Sequence, residues 1–131
     1  MNESERRALI RRYWESTTAG EQNLTDEIYH DDAVLEFPQS GERFEGTANF
    51  REWRSQYPAG VELEMGSPRG EGDLWVGDGT ISYDGGPPQP VVNILEFRGD
   101  KVARETIYVT DTWDAPDWRA RWRGPQAKDS E

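Results

Sequence analysis

The sequence predicts an α+β fold in which helices are segregated from a curved antiparallel sheet. Two observations carry this expectation. Apolar residues recur at helical spacing from Ser4 to Tyr57, with one short strand among the helices, and then switch to period two after Gly60. Turn chemistry punctuates the second half at Gly66–Gly72, Asp84–Pro88 and Gly99-Asp100, which divides it into four strands.

Ser4 to Ala19 reads as a helix with Leu9, Tyr13 and Thr17 on one stripe, Ile10 and Trp14 beside it, and its arginines mostly on other faces. Asn2 and Glu5 have the spacing of a capping box, and Gly20 suits the helix end. Asn23 to Tyr29 is a shorter helix burying Leu24 and Ile28. Val34 to Phe37 is a strand halted by Pro38, with a turn at Gln39-Ser40-Gly41. Thr47 then caps a third helix that turns Ala48, Phe50, Trp53 and Tyr57 inward and closes at Pro58.

Val61, Leu63 and Met65 alternate with Glu62 and Glu64 in a half-buried strand. Trp75, Gly77, Gly79, Ile81 and Tyr83 share one face of a long strand, where the glycines predict a bulge or strong bend. Val91 to Arg98 and Lys101 to Trp113 form the last hairpin. Trp118 and Trp122 follow at helical spacing and are assigned to packing or a dimer contact. One domain is expected over residues 1–123, with a disordered polar tail over 124–131.

Composition excludes several function classes. A net charge of −11 repels phosphate backbones and anionic lipid, so neither nucleic acid nor a membrane surface is an expected partner. There is no cysteine, hence no disulfide or thiolate chemistry. His30 is the single histidine, and His30-Asp31-Asp32 reads as a turn, so no metal site is expected. The glycine pairs lack the strand-to-helix setting of a phosphate loop, which leaves no expected cofactor. The opening residues MNESERRALIRRYW carry charge throughout and do not resemble a signal peptide; a cytoplasmic location is expected. Thirteen of the fifteen basic residues are arginine, which fits a GC-rich bacterial source.

The segments RRYWESTTAGEQNLTDEIYHDDAVLEFPQSGERFEGTANFREW and FRGDKVARETIYVTD resemble the SnoaL-like and ketosteroid isomerase-like branch of the nuclear transport factor 2-like superfamily. The resemblance implies a cone, a sheet wrapped around three helices with an apolar cavity inside. In the isomerases a helix-one tyrosine and a strand residue form an oxyanion hole; the matching positions are Tyr13 and Asn93. The isomerase base falls at Phe37, which moves no proton. The acid of the cyclases falls at Ile107, and the Arg and Asp of the epoxide hydrolases fall near Gly79 and Ile81.

Glu105 remains, two residues from Ile107 on the same strand face as Ala103, Val109 and Asp111. The expected site is therefore Glu105 as acid or base with Tyr13 and Asn93 as oxyanion donors. Trp14, Leu35, Phe37, Phe50, Trp53, Trp75, Ile81, Ile107 and Val109 are expected to line the ligand cavity. The ligand would be a small apolar, carbonyl-bearing molecule, and the reaction that of a cofactor-free isomerase, cyclase or lyase. The other reading is a non-catalytic binding or dimeric interaction domain of the same fold. The resemblance also implies a homodimer through the open sheet face, which here carries Val92, Ile94, Tyr108 and Thr110.

Overall fold

The computed structural model describes residues 1–20 and 25–125. Helix α1 (Glu3–Ala19) opens with the expected capping box: Asn2 Oδ1 accepts from Glu5 N at 2.8 Å, and Glu5 Oε1 accepts from Asn2 N at 2.9 Å. Gly20 closes it in the left-handed region with φ 73°. The second helix is shorter than expected, α2 (Thr25–Ile28), because Tyr29 already belongs to a strand; Asn23 and Leu24 lie outside the described residues.

Strand β1 (Tyr29–Phe37) begins five residues before the expected Val34. Its register against the last strand is irregular between Tyr29 and Val34, so His30–Ala33 form a bulged part of the strand rather than a turn. There His30 Nε2 meets Arg98 O and Asp32 Oδ1 accepts from Arg98 Nη2, so both residues serve the fold through one arginine. The strand β2 (Glu42–Glu45) folds back on β1 after a turn closed by Ser40 N and Gly41 N on Phe37 O. Helix α3 (Thr47–Ser55) follows directly. Its N-cap is Gly46 with φ 88°, not Thr47, since the tight exit from β2 requires a backbone conformation that glycine tolerates best. Thr47 and Phe50 face inward, and Ala48 is exposed.

The remaining strands are β3 (Val61–Met65), β4 (Arg69–Glu71), β5 (Leu74–Tyr83), β6 (Gln89–Arg98) and β7 (Lys101–Val109). Sheet order is β2-β1-β7-β6-β5-β3, with β4 pairing β5. The sheet is antiparallel except for β1 against β7, which run parallel. Strand β7 ends at Val109 rather than Trp113. The polypeptide beyond it carries the 3-10 helix Asp117–Trp122, none of whose residues is buried. The tail expected to be disordered falls mostly on residues 126–131, outside the described residues.

Two details of the sheet place the site. Strand β5 pairs β3 and β6 each in one continuous register, and the one-residue offset between its β3 and β4 pairings puts the extra residue in 66–68, so Gly77 and Gly79 mark close approach instead of a bulge of β5. A Cβ on Gly77 would sit 2.1 Å from the Trp14 ring, and one on Gly79 2.0 Å from Glu64 O. The bulge is instead in β7: Glu96 pairs Arg104 and Phe97 pairs Val102, leaving Ala103 extra. The insertion shifts the phase, so Val102 is buried together with Glu105 rather than on the opposite face. Leu9, Ile10, Phe50, Leu95 and Val102 close the core between helices and sheet.

Candidate functional site

The cone encloses a cavity of about 370 Å³ between α1, α3 and the inner sheet face. Most of its wall is apolar, and Trp14, Phe37, Trp53, Ile81, Ile107 and Val109 lie along it together with Leu63 and Met65 from β3. Leu35, Phe50 and Trp75 do not line it. Leu35 and Phe50 are fully buried in the core, and Trp75 is sealed there with Nε1 donating to Gly72 O at 3.0 Å. The sequence pattern shows that these three face inward, but not that core packing separates them from the cavity.

One end of the cavity is polar. Glu105 arrives from β7 with no exposed surface, the only carboxylate among the described lining residues. Its Oε2 accepts from Tyr13 Oη at 2.7 Å and from Asn93 Nδ2 at 2.6 Å, and its Oε1 accepts from Tyr29 Oη. Arg54, the only cation among the described lining residues, places Nη2 3.9 Å from Oε1 and donates to Tyr13 Oη at 3.2 Å and Tyr29 Oη at 3.1 Å. Asn93 Oδ1 accepts from Trp14 Nε1 at 2.8 Å, which fixes the amide with its NH2 toward Glu105.

Each group reaches the cluster for a local reason. Tyr13 and Trp14 belong to the buried face of α1. Asn93 alternates inward with Val91, Leu95 and Phe97 on β6, and pairs across the ladder with Ile107. Arg54 follows Thr47 and Phe50 at helical spacing, so α3 turns a cation toward its apolar side. Its guanidinium carbon lies 5.5–5.8 Å from the ring centroids of Tyr13, Tyr29, Phe50 and Trp53.

The electrostatics follow from burial. Desolvation pushes both tyrosine hydroxyls well above the ordinary phenol range; the Glu105 charge adds to this, and Arg54 opposes it. Burial would lower the Arg54 pKa, yet the two hydroxyls and Glu105 outweigh it and hold the guanidinium firmly protonated. Both tyrosines are therefore donors to Glu105 at neutral pH. The three expected residues, Glu105, Tyr13 and Asn93, do meet, but the donor hydrogens of Tyr13 and Asn93 aim at Glu105 rather than at open cavity.

Tyr29 and Arg54 are absent from the sequence-derived site. Arg54 carries a readable signal, a cation on the apolar stripe of a short helix. Tyr29 carries none, because its role depends on a strand pairing with β7.

A curved sheet closed by helices around an apolar cavity with one ionisable pole defines a member of the nuclear transport factor 2-like superfamily. The family model for the SnoaL-like domain matches residues 10–105, and the chain belongs to that family. Among solved structures it is similar to an NTF2-like protein of unknown function from Burkholderia xenovorans, with 38% identity over 97% of this chain and 99% of that one and a TM-score of 0.88. A candidate ketosteroid isomerase from Kribbella flavida shares the fold at 21% identity, TM-score 0.80, over 96% and 93% of the two chains. An LEH-like epoxide hydrolase of M. tuberculosis shares it at 15% identity, TM-score 0.71, over 82% and 84%. No curated protein sequence matches. No helix among the described residues is long and apolar enough to cross a membrane.

Proposed function

We propose that this chain binds a small apolar, carbonyl-bearing molecule in the cone cavity and moves a proton on it without a cofactor, as an isomerase, cyclase or lyase does. The observation that carries the reading is the convergence of two tyrosines, an amide and a guanidinium on one buried carboxylate at the end of an apolar cavity. Ionisable groups gathered in this way in a cleft are a mark of functional sites. Glu105 is the acid or base. Having no exposed surface, it exchanges protons with the ligand through the Tyr13 hydroxyl, which hands its own proton to Oε2 as it takes one from the ligand. Asn93 orients the carboxylate. Asn93 stays on the carboxylate, and as negative charge moves from Glu105 to the ligand, Arg54, with Nη2 3.9 Å from Oε1, is the cation at hand to offset it.

The test needs no knowledge of the natural substrate. Exchange of α-protons of β-tetralone in D2O, followed by NMR, reads enolisation directly. The wild type is expected to accelerate exchange, and Glu105→Gln to abolish it while still binding the ketone. A second reading, a non-catalytic binding domain, is favoured by the sealed, ion-paired state of Glu105. Binding of the ketone with no accelerated exchange would select it.

As a macromolecular partner we propose a second copy of the chain, through the open sheet face. Tyr108 and Leu74 are exposed there beside half-buried Val92 and Ile94. The segment after β7 exposes Trp113, Trp118 and Trp122 at 77%, 73% and 65%, interleaved with Arg119, Arg121 and Arg123. The end of this segment, Trp118–Arg123, is apolar and carries three arginines, which complements the body of another copy of a chain of net charge −11. Sedimentation at micromolar concentration should give a dimer, and truncation after Thr110 should weaken it; a wild-type monomer would refute the interface.

A further inference from the structure

The polar end of the cavity is hydrogen-bonded to itself, with one exception. Each tyrosine has a single O–H proton, and Tyr13 and Tyr29 both give theirs to Glu105. Their hydroxyl oxygens accept from Arg54 Nη2. Asn93 gives one of its two N–H donors to Glu105 and its oxygen accepts from Trp14, while burial leaves its second N–H little access to a ligand. Glu105 and Tyr29 have no exposed surface, and Tyr13, Trp14 and Asn93 are nearly as enclosed. Arg54 alone keeps appreciable access, with its side chain 22% exposed. Its hydrogen bonds among the described residues use Nη2, whereas a guanidinium carries five N–H donors on three nitrogens.

A second observation concerns the same wall. Trp53, the neighbour of Arg54 on α3, also lines the cavity, and its Nε1 is buried with no hydrogen-bond partner. It is the only lining residue with such an atom among those described, and it too is a donor. A buried donor without a partner is a cost that an acceptor brought by a ligand would relieve.

We infer that Arg54 is the specificity-determining residue of the cavity, receiving the oxygen of a neutral ligand that ends an apolar body in a hydrogen-bond acceptor. The inference rests on the cavity-binding reading above and adds the sign of the selection. A guanidinium only donates, so an ammonium, which has no acceptor and repels the guanidinium charge, finds no partner there. Glu105 already balances the Arg54 charge, and the chain as a whole is strongly acidic, so a carboxylate gains little over a ketone. The four aromatic rings around the guanidinium restrict its orientation, which keeps its donors in place before the ligand arrives.

The experiment is a matched set of bicyclic probes titrated calorimetrically: tetralin, β-tetralone, β-aminotetralin and tetralin-β-carboxylate. The wild type should bind the ketone roughly tenfold more tightly than the hydrocarbon and the amine, the worth of one hydrogen bond to a charged donor. It should bind the carboxylate no better than the ketone. Arg54→Met alone strands a buried carboxylate and threatens the fold, so the apolar replacement is paired with a second change as R54M/E105Q, which removes both charges together. In that double variant the ketone preference should fall to near unity. In Arg54→Lys, which keeps the charge and loses the planar fork, it should shrink and not vanish. Equal wild-type affinity for ketone and hydrocarbon, tighter binding of the carboxylate, or an unchanged preference in Arg54→Lys and R54M/E105Q would each overturn the role of Arg54 while leaving the cavity a binding site. Failure of all four probes to bind the wild type would overturn the cavity reading itself, and this inference with it.

Discussion

The Tyr13 hydroxyl donates to Glu105 Oε2 at 2.7 Å across 92 residues of sequence, tying the first helix to the last strand. Tyr29 does the same to Oε1 from β1. Removing either hydroxyl should cost about 1.5–3 kcal/mol of stability, the range for a hydrogen bond to a charged group. Their catalytic consequences should differ. Tyr13→Phe breaks the path between ligand and carboxylate and should abolish proton exchange, whereas Tyr29→Phe should only slow it. Urea denaturation alongside the NMR exchange rate separates the two effects, and equal loss of exchange in both variants would contradict the relay.

Gly77 is a packing position. A Cβ there would meet the Trp14 ring at 2.1 Å, and Trp14 is anchored through its indole nitrogen to Asn93. Gly77→Ala should therefore destabilise the fold by about 1–3 kcal/mol through overpacking and disturb Asn93 at the same time. Thermal melts would show the first effect. A lowered exchange rate in protein that remains folded would show the second.

The phenols make stability sensitive to alkali. Burial, with Tyr57 adding to it, pushes Tyr83 up to about 12, and Tyr13 and Tyr29 are also raised. A group that holds its proton more tightly when folded contributes fully below the unfolded phenol value of about 10, and that contribution is lost as pH rises through the folded value. Stability from these groups should thus be constant up to about pH 10 and fall above it. Ultraviolet titration should find Tyr13, Tyr29 and Tyr83 still protonated in the folded protein where free tyrosine has ionised. Full ionisation without unfolding near that pH would refute it.

At the N-terminus, Asn2→Ala removes one half of the capping box and should lower stability by about 0.5–2 kcal/mol. Asn2→Ser retains the acceptor and should recover most of it. Chemical denaturation of the pair checks this, and equal stability of the two variants would show that the cap contributes nothing.

Much of this architecture is readable in local pattern. The capping box, the Gly20 terminus, the inward stripe of α1 and the alternation of β3, β5 and β6 each follow from residues within a few positions of one another. Strands β2 and β4 are not readable, because ERFE and RGE are short, mostly exposed edge segments without apolar alternation. Only their pairing with β1 and β5 makes them strands. The Ala103 bulge is equally silent in sequence, and it reverses the side on which Val102 is found.

The sequence by itself determined the α+β class, the family resemblance, and the presence of Tyr13, Asn93 and Glu105 on inward faces, since periodicity fixes which side of an element a residue occupies. Tertiary structure alone decided what those faces meet. It brought Tyr29 and Arg54 to Glu105, turned the presumed oxyanion donors onto the carboxylate, and withdrew Leu35, Phe50 and Trp75 from the cavity. The physical reason is that hydrogen bonds and ion pairs act over a few ångströms, and the partners of Glu105 come from four separate elements, α1, β1, α3 and β6, up to 92 residues away.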